Sequence, residues 1–283
     1  MTDGNETRRA QGSADRREFI AASIALAVPG ANTLAVEAAD DRTKPAGEAA
    51  PTVLITGSNR GIGLEFARRY AARGWRVIAT CRHPAAAAAL HELTAGQPRV
   101  VVEALDVADH ATVDALAAKY AGQPIDVLLN NAGIGGGSDN QAFGRLRYDV
   151  FPQLMKVNAE GPIKMCEAFL AQVAASGQKK MITVSSSQGS IGRVTMPMLY
   201  WYRSSKAAVN MLMRNLAFEL KGRGIVVGLV TPGPTDTDFM AGLPKKMLRP
   251  VADAVTDMMR EIDGLDLSRT GQFLGFKGDV LPW

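Results

Sequence analysis

Cysteine and histidine are scarce in this chain: Cys81 and Cys166, with His83, His91 and His110, are all that 283 residues contain. Two separated thiols make no disulfide framework and no C-x-x-C pair. The histidines lack the i,i+4 partner and the Cys, Asp or Glu company of a metal site, so no metal is expected. His91-Glu92 stands without the second histidine of a zinc-protease helix. Long basic runs are missing too. Lysine and arginine come as singles or as pairs such as Lys179-Lys180 and Lys245-Lys246. A net charge of +4 spread this way excludes the basic stripe of a nucleic-acid binder. No apolar run approaches the ~20 residues that span a bilayer. What is present, 47% hydrophobic and 21% charged residues, is the balance of a soluble globular protein that can bury a sizeable core.

The first fifty residues differ from the rest in composition. They hold Arg16-Arg17-Glu18-Phe19-Ile20, an apolar stretch to Val28, then Pro29-Gly30 and small residues including Ala35, Ala38 and Ala39. This segment resembles a twin-arginine signal peptide followed by a polar linker. Asp15 departs from the pattern, which more often has Ser or Thr before the arginines. The resemblance implies export to the periplasm; a tail with a chance Arg-Arg pair would leave the protein in the cytoplasm.

From Pro51 onward, short apolar runs alternate with helical stretches. Strands are expected at 52–56, 76–81, 99–104, 125–130, 180–185, 225–230 and 272–276. Helices are expected at 62–73, 85–93, 110–121, 148–175, 199–220 and 251–262. Such alternation implies a parallel sheet covered on both faces, the doubly wound α/β (Rossmann) architecture, with 51–283 as one domain.

A glycine-rich turn, Gly57-Ser58-Asn59-Arg60-Gly61-Ile62-Gly63, joins the first strand to the first helix. Glycines there permit a tight turn and close approach of a phosphate, and the helix start offers free N–H groups to a pyrophosphate. After the second strand, where an acid would bind a ribose 2′-hydroxyl, stands Thr80-Cys81-Arg82. Arg82 and Arg60 suit a 2′-phosphate instead, so NADP(H) is preferred over NAD(H).

Tyr202 and Lys206 stand four apart in an expected helix and so share a face. A lysine beside a phenol favours the phenolate, which makes the tyrosine a usable acid-base group. With the glycine turn upstream, the chain resembles the short-chain dehydrogenase/reductase family over nearly all of 51–283. Asp106-Val107 matches the acid that meets the adenine. Asn130, Ala132 and Gly133 match the N-N-A-G after the fourth strand, and Asn158 the helix asparagine. Ser186 matches the strand-end serine, and Tyr202 and Lys206 match the Y-x-x-x-K. Pro232, Gly233, Thr235 and Thr237 fall in the P-G-x-x-x-T segment. The 16-residue gap from Ser186 to Tyr202, with the ending Gly271-Gln272-Phe273 to Trp283, resembles the sniffer-type carbonyl reductase and C-signal group.

The resemblance implies hydride transfer between nicotinamide and a carbonyl or alcohol. Tyr202 would exchange the proton, Ser186 hold the substrate oxygen, Lys206 tune the tyrosine and hold the ribose, and Asn158 keep a water. The partner is then a small molecule, and the long helices offer surfaces for a homodimer or homotetramer. The C-signal likeness leaves a second reading, a nucleotide-binding signalling protein with little turnover. Residues 235–259 are expected to form a mobile substrate lid. Met196, Met198, Met240, Met247, Met258 and Met259 would suit an adaptable apolar pocket. Gly135-Gly136-Gly137 reads as a flexible loop.

Overall fold

The structure, a computed structural model, describes residues 50–240 and 244–283. The leader-like segment, Ala50 apart, lies outside them. Seven strands form one parallel sheet in the order β3-β2-β1-β4-β5-β6-β7. They are β1 (Thr52–Ile55), β2 (Arg76–Cys81), β3 (Val100–Ala104), β4 (Val127–Asn130), β5 (Lys180–Val184), β6 (Val226–Val230) and β7 (Phe273–Leu274). The helices are α1 (Gly61–Ala72), α2 (Ala88–Gly96), α3 (His110–Lys119), α4 (Val150–Met155), α5 (Gly161–Ala168), α6 (Leu170–Ala174), α7 (Tyr200–Lys221) and α8 (Val251–Asp263).

Alternation along each strand divides the core. Val53 and Ile55 of β1 join one apolar cluster with Phe66, Tyr70, Leu90, Met258 and Ile262 from α1, α2 and α8. Leu54, between them, points into the other cluster with Val113, Met165, Val209 and Met213 from α3, α5 and α7. A strand buried on both faces reads as an unbroken apolar run, which is why TVLI and VVGLV are legible as strands. The strand order reverses between β1 and β4, and in such sheets the crevice beyond the carboxyl ends at the reversal takes ligands.

Three expectations need correction. The helix expected over 148–175 is broken: α4 runs into a π-helical turn, Lys156–Glu160, before α5, and Phe169 separates α5 from α6. Residues 251–263 are not lid. They form α8, a strongly amphipathic helix laid on the sheet, so the segment between β6 and α8 ends at Arg249, whose N–H donates to Pro234 O at 2.7 Å. Met258 and Met259 are accordingly core residues, each about 1% exposed. Among the described residues, no helix is long and apolar enough to cross a membrane.

Lys180 begins β5 at the end of the sheet remote from the crevice. Its buried ammonium donates to Ile262 O (2.7 Å) and Asp263 O (3.1 Å), so it caps the carboxyl end of α8.

Candidate active site

The glycine turn follows β1 and opens α1. Gly57 and Gly61 have φ of +69° and +54°, which glycine adopts without strain. At Gly63 the limit is space: a Cβ there would lie 2.2 Å from Gly57 O and 2.5 Å from Asn131 Nδ2. Arg60, at the N-cap of α1, supplies no capping side chain, so the first N–H groups of the helix face the crevice without one.

The turn is clamped to the end of β4. Thr56 Oγ1 accepts from Asn131 N and Ala132 N, both at 2.9 Å, and Asn131 Nδ2 donates to Thr56 O (2.9 Å) and Gly57 O (3.1 Å). Neither Thr56 nor Asn131 is among the candidate residues taken from the sequence, although Asn131 is the second asparagine of N-N-A-G. Opposite, Gly61 faces the segment after β6, where a Cβ would sit 3.5 Å from Thr237 Cγ2. The turn therefore stands between the N-N-A-G loop after β4 and the segment after β6.

Some of the expected contact residues turn their side chains inward. Ser58 is fully buried and donates to Ile55 O at 2.9 Å. Asn130 Nδ2 points at Pro162 O and Cys166 Sγ, both at 3.4 Å, toward α5. Thr235 Oγ1 donates to Gly233 O at 3.1 Å. Val107 is buried against Gly161 of α5. Whatever these positions offer a ligand comes from the main chain. Asp106, half-buried after β3, accepts from Ala108 N at 3.0 Å. Asn59, Arg60 and Arg82 are exposed at the rim. Arg60 pairs with Asp238 at 2.9 Å, whereas Arg82 has no ion pair among the described residues.

At the crevice's other end stand β5 and α7. Ser186 stands two residues beyond β5, and its hydroxyl is hydrogen-bonded to the Tyr202 phenol. Gly189 closes the S-x-x-G turn because the backbone of α7 lies on it: a Cβ there would be 2.8 Å from Lys206 C. Asn210 ties the same turn down, accepting from Ser185 Oγ (2.6 Å) and donating to Gly189 O (3.3 Å). Lys206, one turn beyond Tyr202, donates to Val184 O at 3.0 Å and lies 6.0 Å from the tyrosine ring centre. Asn158, on the π-helical turn, clamps Ile134 through both main-chain groups (2.8 and 2.9 Å) and donates to Ser205 Oγ at 3.0 Å. A Cβ on Gly133 would lie 3.3 Å from Asn158 Oδ1 and 3.8 Å from Lys206 Nζ. Tyr202, Ser186, Lys206, Asn158 and Gly133 thus gather in one place from four separate segments.

The electrostatics differ from the expectation that Lys206 lowers the tyrosine pKa. Burial pushes Tyr202 up to about 12, with the Ser186 hydrogen bond opposing it. Burial also pulls Lys206 down to about 8. Both shifts have one cause, because desolvation penalises whichever form is charged. At neutral pH the pair is a neutral phenol and an ammonium, an arrangement suited to giving up a proton.

Next to this set, a shallow cavity of about 450 Å³ is lined by Met196, Met198, Tyr200 and neighbours on the β5–α7 connection. Met196 and Met198 are 58% and 40% exposed. Tyr202 is not part of its lining. Phe143 lies against Tyr200, with ring centres 6.1 Å apart.

The short chain dehydrogenase family profile matches residues 51–248. The chain is 36% identical over 169 residues to the C-signal protein of Myxococcus xanthus, covering 60% of this chain and 99% of that one. Among solved structures it is similar to NADPH-bound carbonyl reductase from chicken fatty liver (TM-score 0.77, 30% identity, 83% of this chain and 99% of that one). It is also similar to carbonyl reductase Sniffer of D. melanogaster (TM-score 0.76, 25% identity, 83% and 100% covered).

Proposed function

This chain belongs to the short-chain dehydrogenase/reductase family, and from that premise we propose that it is an NADP(H)-dependent oxidoreductase in which Tyr202 exchanges the proton with a carbonyl or alcohol oxygen. The observation that carries the reading is the Tyr202 phenol, hydrogen-bonded to Ser186, with Lys206 one helical turn on and the glycine turn across the crevice. The turn suits a dinucleotide on its own terms: α1 begins without a side-chain cap, which leaves its first N–H groups to a pyrophosphate, and the rim carries Arg60 and Arg82. When bound there, the nicotinamide supplies or takes the hydride.

The protein's part is alignment and proton supply. Ser186 holds the substrate oxygen beside the phenol, and Tyr202 gives its proton as that oxygen gains negative charge. Lys206 presents an ammonium one turn away and would hold the nicotinamide ribose. Asn158 fixes Ile134 and, through Ser205, the base of the Tyr202 turn. The test is NADPH oxidation followed by absorbance across aldehydes, ketones and quinones. Binding of NADPH without oxidation against the whole panel would favour a signalling role, the reading that the C-signal relative keeps open.

Cofactor choice rests on Arg82, which unlike Arg60 has no ion pair among the described residues. Arg82→Asp should lower the kcat/KM preference for NADPH over NADH about ten- to a hundredfold, the worth of one or two charge-assisted hydrogen bonds. An unchanged preference removes Arg82 from the 2′-phosphate site. Residues 1–50 are proposed as a twin-arginine leader and 51–283 as the exported domain; full-length protein confined to the cytosol on fractionation would refute this. On the outer face of α7, Met211 and Phe218 are 64% and 66% exposed, which suits pairing through that helix. A monomer by light scattering would refute the pairing.

A further inference from the structure

Gln141 is fully buried and ends a short 3-10 turn, Asp139–Gln141, between β4 and α4. Its side chain makes three hydrogen bonds. Oε1 accepts from the backbone N–H of Tyr202 at 2.7 Å, while Nε2 donates to Gly135 O (2.8 Å) and Gly137 O (2.9 Å). The partners settle which end is which, since an N–H only donates and a carbonyl only accepts.

Tyr202 is the third residue of α7, so its N–H is among the four that no carbonyl of the helix reaches. A local cap is lacking. Leu199, at the N-cap, is left-handed (φ 49°) and has no capping side chain. Gln141 caps the helix from 61 residues away. The glycine loop is shaped to let it in. Gly136 and Gly137 have φ of +74° and +73°, and a Cβ on Gly136 would lie 2.8 Å from Leu154 Cδ1 and 3.2 Å from Gln141 Nε2. Gly136 and Gly137 therefore serve close packing, not the flexibility their sequence suggests.

We propose that Gln141 is a positioning residue, which fixes the first turn of α7 and with it the Tyr202 phenol against the loop that follows Gly133. This rests on the functional reading above. An uncapped first turn frays, and Tyr202 sits within it, whereas Lys206 lies a turn deeper. A proton donor displaced by about 1 Å costs on the order of 10²-fold in rate.

Two variants test the idea. Gln141→Met is similar in length but makes none of the three bonds. Its kcat should fall about ten- to a hundredfold with the NADPH dissociation constant unchanged, and the Tyr202 amide should exchange hydrogen faster. Gln141→Glu, when protonated, keeps an acceptor for Tyr202 and one donor for the loop. It should match wild type in mildly acidic buffer and lose turnover as the carboxyl ionises, giving a pH limb that wild type lacks. If Gln141→Met does not fold, that limb and the amide exchange of Gln141→Glu on either side of it carry the test. Unchanged Tyr202 amide exchange in Gln141→Met, or faster exchange with unaltered kcat, would overturn the proposal, as would a pH profile for Gln141→Glu no different from that of wild type. Should wild type turn over no carbonyl, the functional reading fails by itself. Gln141 is then judged by amide exchange and by the Tyr202 phenol titration, read by absorbance against Tyr202→Phe. A titration that Gln141→Met leaves unmoved would overturn it.

Discussion

Tyr202→Phe should lower turnover by ~10²–10⁴-fold, the usual worth of a placed proton donor, and leave NADPH affinity where it was. The substitution removes one oxygen from a side chain that is 8% exposed and keeps the ring in its packing. The backbone bond from Tyr202 N to Gln141 does not involve the phenol. What goes is the hydroxyl that shares a hydrogen bond with Ser186. Because burial holds that phenol to about 12, it is protonated throughout the neutral range. Carbonyl reduction by the wild type should therefore hold through pH 7 and begin to fall near pH 8, where Lys206 loses its proton, well before the phenol itself ionises. Turnover by Tyr202→Phe within a few-fold of wild type, measured by steady-state NADPH oxidation, would end the assignment.

Lys206→Met should do the reverse for stability: the variant loses activity but unfolds at higher denaturant. A free lysine holds its proton to about 10.4, but the buried Lys206 ammonium only to about 8. That difference corresponds to roughly 3 kcal/mol of cost to the folded state at neutral pH. The sign follows from proton counting. Between about 8 and about 10.4 the unfolded chain binds more protons at this position, so wild-type stability rises with pH across that window. The advantage of Lys206→Met is thus fully present below about pH 8 and gone by about pH 10.4. Equilibrium urea unfolding at both ends of the window measures it. An equally stable or weaker variant at pH 7 would mean that the bond to Val184 O offsets the desolvation. Such a trade of stability for a working group is common at active sites.

The sheet and most of the crevice are legible in the sequence because their signals are local. Apolar runs mark strands buried on both faces, and a Gly57–Gly63 spacing between strand and helix marks the turn. Tyr202 and Lys206 are four apart on a helix face, which any reader of periodicity can see. What escaped depends on neighbours distant in sequence. Gln141 is one polar residue in a loop until α7 lays the Tyr202 N–H beside it. Met258 and Met259 look like pocket residues until the amphipathic face of α8 turns them onto the sheet. The break in the 148–175 helix has no Pro or Gly at the π-helical turn itself to announce it. The tyrosine pKa went the other way for the same reason. Sequence supplies the neighbouring charge, but only the packed structure supplies the depth of burial that outweighs it.

The Thr56–Asn131 clamp joins residues 75 apart, across the one boundary where strand order reverses. Closing a loop of that length must be paid before its contacts reward it, and chains rich in such contacts fold slowly. β2 can pair with β1, and β3 with β2, while the chain is still short, but the ligand crevice exists only once β4 has returned to the middle of the sheet. Late assembly and nucleotide binding therefore coincide at one seam. A ligand that enters there favours the closed sheet over every partly folded form lacking β4, so nucleotide present during refolding acts on the final closure.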